Sequence, residues 1–287
     1  MEGYSIEIKH LSRKFPGFLL DDVSFSVPRG SIMGFVGENG AGKTTTLKLI
    51  LNLIRRDSGD IKIFGMDNRK DERKIKADIG VVFEDVRFHD ILTPEELAPI
   101  LANLYPNWDN ALYDKYLREF SLPKTKKIKE YSKGMRMKLS IAAALAHRPK
   151  LLLLDEATSG LDPMMRSEIL DIFLDFIQDE EHSILFSSHI TNDLEKVADY
   201  ITFLHEGKVV FSKSKDELLY DYGILKCSSA EAKQVDPADV VRQRKTTFGC
   251  EMLVCDRRRA AAKYRNMVLD HTSIEDIMLF YAGRNEK

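Results

Sequence analysis

The stretch GENGAGKTT, residues 37–45, lies between an apolar run (Ile32, Met33, Gly34, Phe35, Val36) and a second apolar pattern (Leu47, Leu49, Ile50, Leu51). A chain can turn from a strand into a helix with one or two glycines. Three glycines, a lysine and a run of threonines need a further reason. Glycines let successive backbone N–H groups converge on one point, and the helix opening there adds its positive N-terminal end. GENGAGKT fits G-x-x-x-x-G-K-[ST] in the strand-then-helix setting that gives the pattern its meaning. The expected ligand is a nucleoside triphosphate held by Asn39, Gly40, Ala41, Gly42, Lys43, Thr44 and Thr45. Lys43 is expected at the β- and γ-phosphates, and the Thr44 hydroxyl on Mg²⁺.

The surrounding sequence alternates in the same way. Strand-like runs stand at 4–9, 22–27, 31–36, 61–65, 79–84, 151–156, 183–189, 200–204 and 208–212, and helical patterns separate the later ones. Such alternation predicts an α/β fold with a largely parallel, covered sheet, and LLLL suits a strand buried on both faces. The first two runs flank a Pro-Gly turn and predict an antiparallel pair. Residues 94 to about 129 break the rhythm with a polar helical insertion, and the character changes again after about 222. With 287 residues, 44% of them hydrophobic, the chain can fill one large domain and a small one.

Two strand ends carry chemistry. LLLLDE places Asp155 and Glu156 at the end of a buried strand, where adjacent side chains point apart. One carboxylate can then face a metal while the other faces an attacking water. SSH puts His189 at another strand end.

The stretch YSKGMRMKLSIAAALAHRPK, residues 131–150, joins these pieces. With the phosphate loop, the acidic strand, SGLD (159–162) and His189, it resembles the ATP-binding-cassette ATPases from about residue 4 to 220. The signature usually written LSGGQ stands here as Tyr131-Ser132-Lys133-Gly134-Met135. Its lysine and methionine look like the drug- and peptide-export branch. The resemblance implies a P-loop NTPase-type mixed sheet with an antiparallel β subdomain and a helical insertion at about 85–149. Residues 1–222 would form the ATPase domain, and 223–287 a small α+β extension. It also implies ATP and Mg²⁺ as cofactors, with Asp155 and Thr44 on the metal and Lys43, Glu156 and His189 in catalysis. Ser132, Lys133, Gly134, Met135 and Asp162 would contact the nucleotide across a head-to-tail pair of cassettes, either a homodimer or a related heterodimer. Phe15 matches the aromatic that stacks on adenine, with Phe18 as the alternative. The partner that does the transport would be a separate transmembrane permease.

One position departs from that family. The glutamine it places after the strand before the insertion is Glu84 here, a candidate metal and cofactor ligand, with Asp85 as the neighbouring alternative. The loop that follows carries Phe88, Ile91 and Leu92, which read as a docking surface for the permease. In the tail, GILKCS and EMLVCD read as strands and CDRRRAAAKYR as a basic helix. Thr272-x-x-Glu275 fits a capping box ahead of an apolar face of Ile274, Ile277, Met278 and Tyr281, ending before Gly283. That face is expected on the tail's own sheet or on the second subunit.

Composition narrows the alternatives. The net charge of −2 gives no electrostatic footprint for nucleic acid. Three cysteines, Cys227, Cys250 and Cys255, match no zinc spacing, and their odd number argues against a secreted disulfide scaffold. The start, MEGYSIEIKH, is not a signal peptide, and no stretch nears the roughly 18 apolar residues of a membrane span. The expected location is the cytoplasmic face of the membrane, reached only through the permease. DNA-repair cassettes carry a long coiled coil and translation cassettes come as two per chain, and neither feature is present. A binding module that barely hydrolyses ATP is the other rival, opposed by Glu156 and His189.

Overall fold

The computed structural model describes residues 3–84, 88–247 and 249–282. The chain opens with β1 (Tyr4–Phe15) and β2 (Phe18–Pro28), joined at the tight turn containing Gly17. It then enters β3 (Ile32–Val36) and α1 (Lys43–Ile50), and returns to the first sheet through β4 (Ser58–Ile63) and β5 (Met66–Asp67). α2 (Glu72–Ala77) leads into β6 (Ile79–Val82). The helical insertion holds α3 (Pro94–Leu104), α4 (Asn110–Glu119) and α5 (Lys133–Leu145). Alternation resumes with β7 (Leu151–Asp155), α6 (Pro163–Phe176), β8 (Ser183–Ser188), α7 (Thr191–Val197), β9 (Tyr200–His205) and β10 (Lys208–Ser214). The tail adds β11 (Gly223–Cys227), β12 (Val240–Thr246), β13 (Gly249–Val254), α8 (Arg257–Lys263), β14 (Val268–Asp270) and α9 (Ile274–Ala282).

Three sheets result. The first, antiparallel, runs β2-β1-β4-β5; the central one runs β10-β9-β3-β8-β7-β6; the tail sheet runs β12-β13-β11-β14. In the central sheet β9, β3, β8, β7 and β6 are parallel, and β10 closes one edge antiparallel. Every residue of β3, β7 and β8 is buried, as the apolar runs of β3 and β7 lead one to expect of strands covered on both faces; β8 is buried with its serines included. One face packs on the antiparallel sheet through Ile6, Ile8, Val23, Phe25 and Leu153. The opposite face packs on the insertion through Leu97, Tyr113, Leu117, Leu139, Leu152 and Leu154.

The helix starts explain where the insertion begins and how the elements follow one another. Thr93 and Glu96 form a reciprocal capping box with Pro94 at the first helical position of α3. Asp109 caps α4 and Asp162 caps α6, each accepting from backbone N–H groups of the first turn.

The tail differs from expectation in two ways. β12 and β14 join the two anticipated strands; β12 reads VVRQRKT, too charged to stand out as a strand. α9 starts at a capping box one residue later than expected, between Ser273 and Asp276, because Ile274 N–H is taken by the Glu195 carboxylate. Its apolar face packs on the tail's own sheet, as one of the two expectations had it, and on the central sheet as well. Ile274, Ile277 and Phe280 are buried in a core shared by Phe203 and Phe211 of the central sheet edge and Ile224 and Leu253 of the tail sheet, whose opposite face builds a separate core around Leu225, Met252 and Val254. β12 borders the same face, with the Arg242 and Arg244 guanidinium groups 5.2 and 4.5 Å from the Tyr281 and Phe280 ring centres. Gly283 and Asp85 lie outside the described residues.

Candidate functional site

The loops leaving β3, β6, β7 and β8 open on the C-terminal edge of the parallel sheet, where open α/β folds bind ligands. Residues 37–42 curl back over the end of β3 with Gly40 and Gly42 at φ of 85° and 111°. A Cβ on Gly37 would stand 2.4 Å from the Leu204 carbonyl oxygen, and one on Gly42 2.9 Å from the Phe18 ring. Both positions therefore exclude a side chain. Gly42, at the N-cap of α1, offers no side-chain acceptor to the helix, so the N–H donors of its first turn remain for an anion. Glu38, Asn39 and Gly40 are exposed, Ala41 is buried, and Thr45 is half-buried.

Lys43 is buried and folds back on the loop. Its Nζ donates to the carbonyls of Gly37 at 2.6 Å and Glu38 at 3.3 Å, and stands 3.5 Å from Glu156 Oε1. The register of β7 against β8 sets Asp155 opposite Ser187, and the Thr44 hydroxyl donates to Asp155 Oδ2 at 2.7 Å. Burial pushes the Asp155 carboxyl above the ordinary carboxylate range; the Thr44 hydroxyl opposes this, and the neighbouring Glu156 charge adds to it. Glu156 adopts φ 53° as its N–H bonds the Ser187 carbonyl at 2.9 Å. A left-handed non-glycine residue costs about 1–2 kcal/mol. That turn aims its carboxylate at His189, whose Nδ1 lies 2.7 Å from Glu156 Oε2. Lys43, Glu156 and His189 thus form one chain of contacts across three strand ends.

Asp155 Oδ1 and Glu156 Oε1 are buried and accept no hydrogen bond. A buried carboxylate pair with open lone pairs, one of them raised in pKa, fits a site built for added positive charge. Thr44 and Asp155 supply the hard oxygen ligands that suit Mg²⁺. Among the described residues no group of three or more His, Cys, Asp or Glu is placed to hold a metal alone.

The remaining predicted residues lie apart from this cluster. Ser132 is the exposed N-cap of α5 and accepts from Met135 N–H at 3.2 Å. Gly134 is buried against α6, where a Cβ would meet Met165 Sδ at 2.0 Å. Asp162 spends its carboxylate on the N–H groups of Met164 and Met165. Phe15 is half-buried, with its ring centre 6.4 Å from that of Phe18 and the Arg13 guanidinium at 5.1 Å. The expectation of Glu84 beside the metal ligands meets a different geometry. Its exposed carboxylate faces Lys133 Nζ at 3.4 Å, and among the described residues no hydrogen bond or ion pair joins it to Thr44 or Asp155. Phe88 and Leu92 pack half-buried on the core, while Ile91 is exposed.

Two structural links carry no mark in the sequence. Arg166 donates to the Leu161 carbonyl at 3.2 Å and lies 3.6 Å from the buried Asp193 of α7. Residues of α9 wall a cavity that also reaches Gly37, Glu38 and His189.

A glycine loop gripping a buried lysine, backed by two carboxylates and a histidine on neighbouring strand ends, defines a P-loop nucleoside-triphosphatase site. Residues 20–159 match the family model described as ABC transporter. The ABC transporter ATP-binding protein YtrB of Bacillus subtilis (strain 168) is 36% identical over 218 residues, spanning 76% of this chain and 74% of its own. The bacitracin transport ATP-binding protein BcrA of Enterococcus faecalis is 34% identical over 218 residues, spanning 75% of this chain and 71% of its own. A solved ATP-binding subunit of an ABC transporter superposes with a TM-score of 0.67 at 30% identity, covering 74% of this chain and 91% of that one. The chain belongs to the ABC transporter family, as an ATP-binding subunit with ATPase activity. The family implies a separate membrane subunit; among the described residues no helix is long and apolar enough to cross a membrane.

Proposed function

We propose that this chain energises an exporter from the cytoplasmic face of the membrane, through ATP-driven head-to-tail pairing with a second cassette. The contact chain Lys43–Glu156–His189 carries this reading. Phosphate arriving at the loop competes for Lys43, which then turns from Glu156 and the loop carbonyls toward the β- and γ-phosphoryl oxygens. The released Glu156 carboxylate is free to accept a proton from the attacking water. His189, held through Nδ1 by Glu156, presents its other ring nitrogen toward the γ-phosphoryl group. Thr44 and Asp155 would hold Mg²⁺, which would offset charge on the phosphates, with water and phosphate completing its coordination.

Exposure of Ser132 and Lys133, apart from the loop of their own chain, supports their use by the partner's nucleotide. Gly134 and the opening N–H groups of α5 complete that anion cradle. The relative named for bacitracin transport supports export of an antibiotic or peptide. For the membrane subunit, the groove of about 930 Å³ bounded by Leu51, Leu53, Phe83, Leu104 and Tyr105 is the best docking face, since it begins at the strand end that leads to Glu84. Leu53 and Leu104 there are 55% and 69% exposed, the kind of apolar patch that a partner covers.

ATP binding and turnover by the purified chain test the core of this reading. Lys43→Ala is expected to abolish both; wild-type affinity and turnover in that variant would refute it. Co-purification of a membrane subunit with wild type, weakened by Leu104→Asp, tests the docking face.

A further inference from the structure

We infer that α9 of the tail is a brace on the switch-histidine segment, and that Glu195 is the positioning residue through which it acts on ATP hydrolysis. This rests on the proposed role of His189. The histidine sits between β8 and α7, a helix of only seven residues whose N-cap, Ile190, makes no side-chain cap. So short a helix has little stability of its own and takes its position from what flanks it. On one side α6 holds it through Arg166 and Asp193, 3.6 Å apart. On the other side Glu195 Oε1 accepts the Ile274 N–H of α9 at 2.7 Å. That N–H is one of the orphan donors of the α9 first turn, so the bond joins a carboxylate to the positive end of a helix.

α9 is itself fixed. Ile274, Ile277 and Phe280 are buried in a core shared by the central sheet and the tail sheet, and Tyr281 stands 6.4 and 5.8 Å from the Phe203 and Phe211 ring centres. Glu195 is the fifth residue of α7, which starts two residues after His189. Glu275, Met278 and Leu279 also face His189, Ile190 and Asn192 across a cavity of about 400 Å³. This space next to the histidine lets its segment move, and the Glu195 bond limits how far. A tail outside the catalytic core thereby sets the position of a group that must meet the γ-phosphoryl group.

The test is steady-state ATPase kinetics of the full chain carrying Glu195→Ala or Glu195→Gln, with His189→Ala as reference. Glu195→Ala is expected to lower kcat by up to roughly 10²-fold, the scale of an about 1 Å misplacement of a reacting group, with KM for ATP unchanged. Glu195→Gln should restore most of the loss, because its amide oxygen accepts the same bond. Hydrogen exchange should quicken across 189–197 in Glu195→Ala and stay unchanged across 151–155. Wild-type kcat in Glu195→Ala, a shared loss in the glutamine variant, or unchanged exchange at 189–197 would overturn the brace. Full activity of His189→Ala would instead overturn the proposed role of the histidine, and the brace with it.

Discussion

Replacing Glu156 by glutamine separates what its charge does for the fold from what it does for hydrolysis. Without nucleotide, Glu156 Oε1 is the anion facing Lys43 at 3.5 Å, and both side chains are about nine-tenths buried. At an effective dielectric near 20, that separation corresponds to an attraction of about 5 kcal/mol. The cost of burying the carboxylate disappears with the charge, and Lys43 keeps the Gly37 and Glu38 carbonyls. The net loss should therefore fall below the 3–5 kcal/mol typical of a broken buried pair, at about 1–3 kcal/mol. For a protein of this size that lowers the melting temperature by about 2–10 °C. ATP should reverse the order. Phosphate returns a partner to Lys43, and the variant lacks the repulsion between Glu156 and the γ-phosphate, so nucleotide should stabilise Glu156→Gln more than wild type. Hydrolysis should fall by roughly 10²–10⁴-fold, trapping an ATP-bound dimer. Differential scanning calorimetry with and without ATP, alongside phosphate release, measures all of these. An unchanged apo melting temperature together with wild-type turnover would refute the reasoning.

Gly134→Asp should leave ATP binding by the isolated subunit nearly intact and abolish hydrolysis, since its side chain must displace Met165 and so shifts the start of α5 that Ser132 caps; full turnover of that homodimer would mean the site is complete within one chain. Glu84→Gln removes the partner of Lys133 and should preserve most hydrolysis while changing its dependence on Mg²⁺ against Mn²⁺; an identical metal dependence would confine Glu84 to its pairing with Lys133. Because the folded-state value of Asp155 is raised, the apo fold loses stability as pH rises from about 4 through that raised value. Asp155→Asn should thus melt above wild type at pH 7, with the gap closing below about pH 4, and should lose hydrolysis; a gap independent of pH would show that Asp155 titrates normally.

What the sequence disclosed follows from how local each feature is. The loop at 37–45 is legible because its glycines are required by the backbone itself: Gly37 and Gly42 admit no Cβ, and Gly40 and Gly42 take positive φ. LLLLDE is legible because a strand buried on both faces leaves no bland reason for two terminal acids. The pairing of Glu84 with Lys133 spans 49 residues between two exposed positions, and an exposed charge carries no mark of its partner. The start of α9 fails to read for a related reason. Thr272-x-x-Glu275 and Ser273-x-x-Asp276 both satisfy the capping pattern, and periodicity alone cannot choose between them. The choice is made by Glu195, 79 residues away from Ile274. With Ser273 as the cap, Ile274 becomes the first helical residue and its unpaired N–H is free for that carboxylate. Ile274, Ile277 and Phe280 enter a core shared by the cassette and the tail sheet, and Met278 and Tyr281 stay half-buried against it. One hydrogen bond to the helix behind His189 therefore goes with the shifted cap. It also gives a helix at the far end of the chain a mechanical reason to be there.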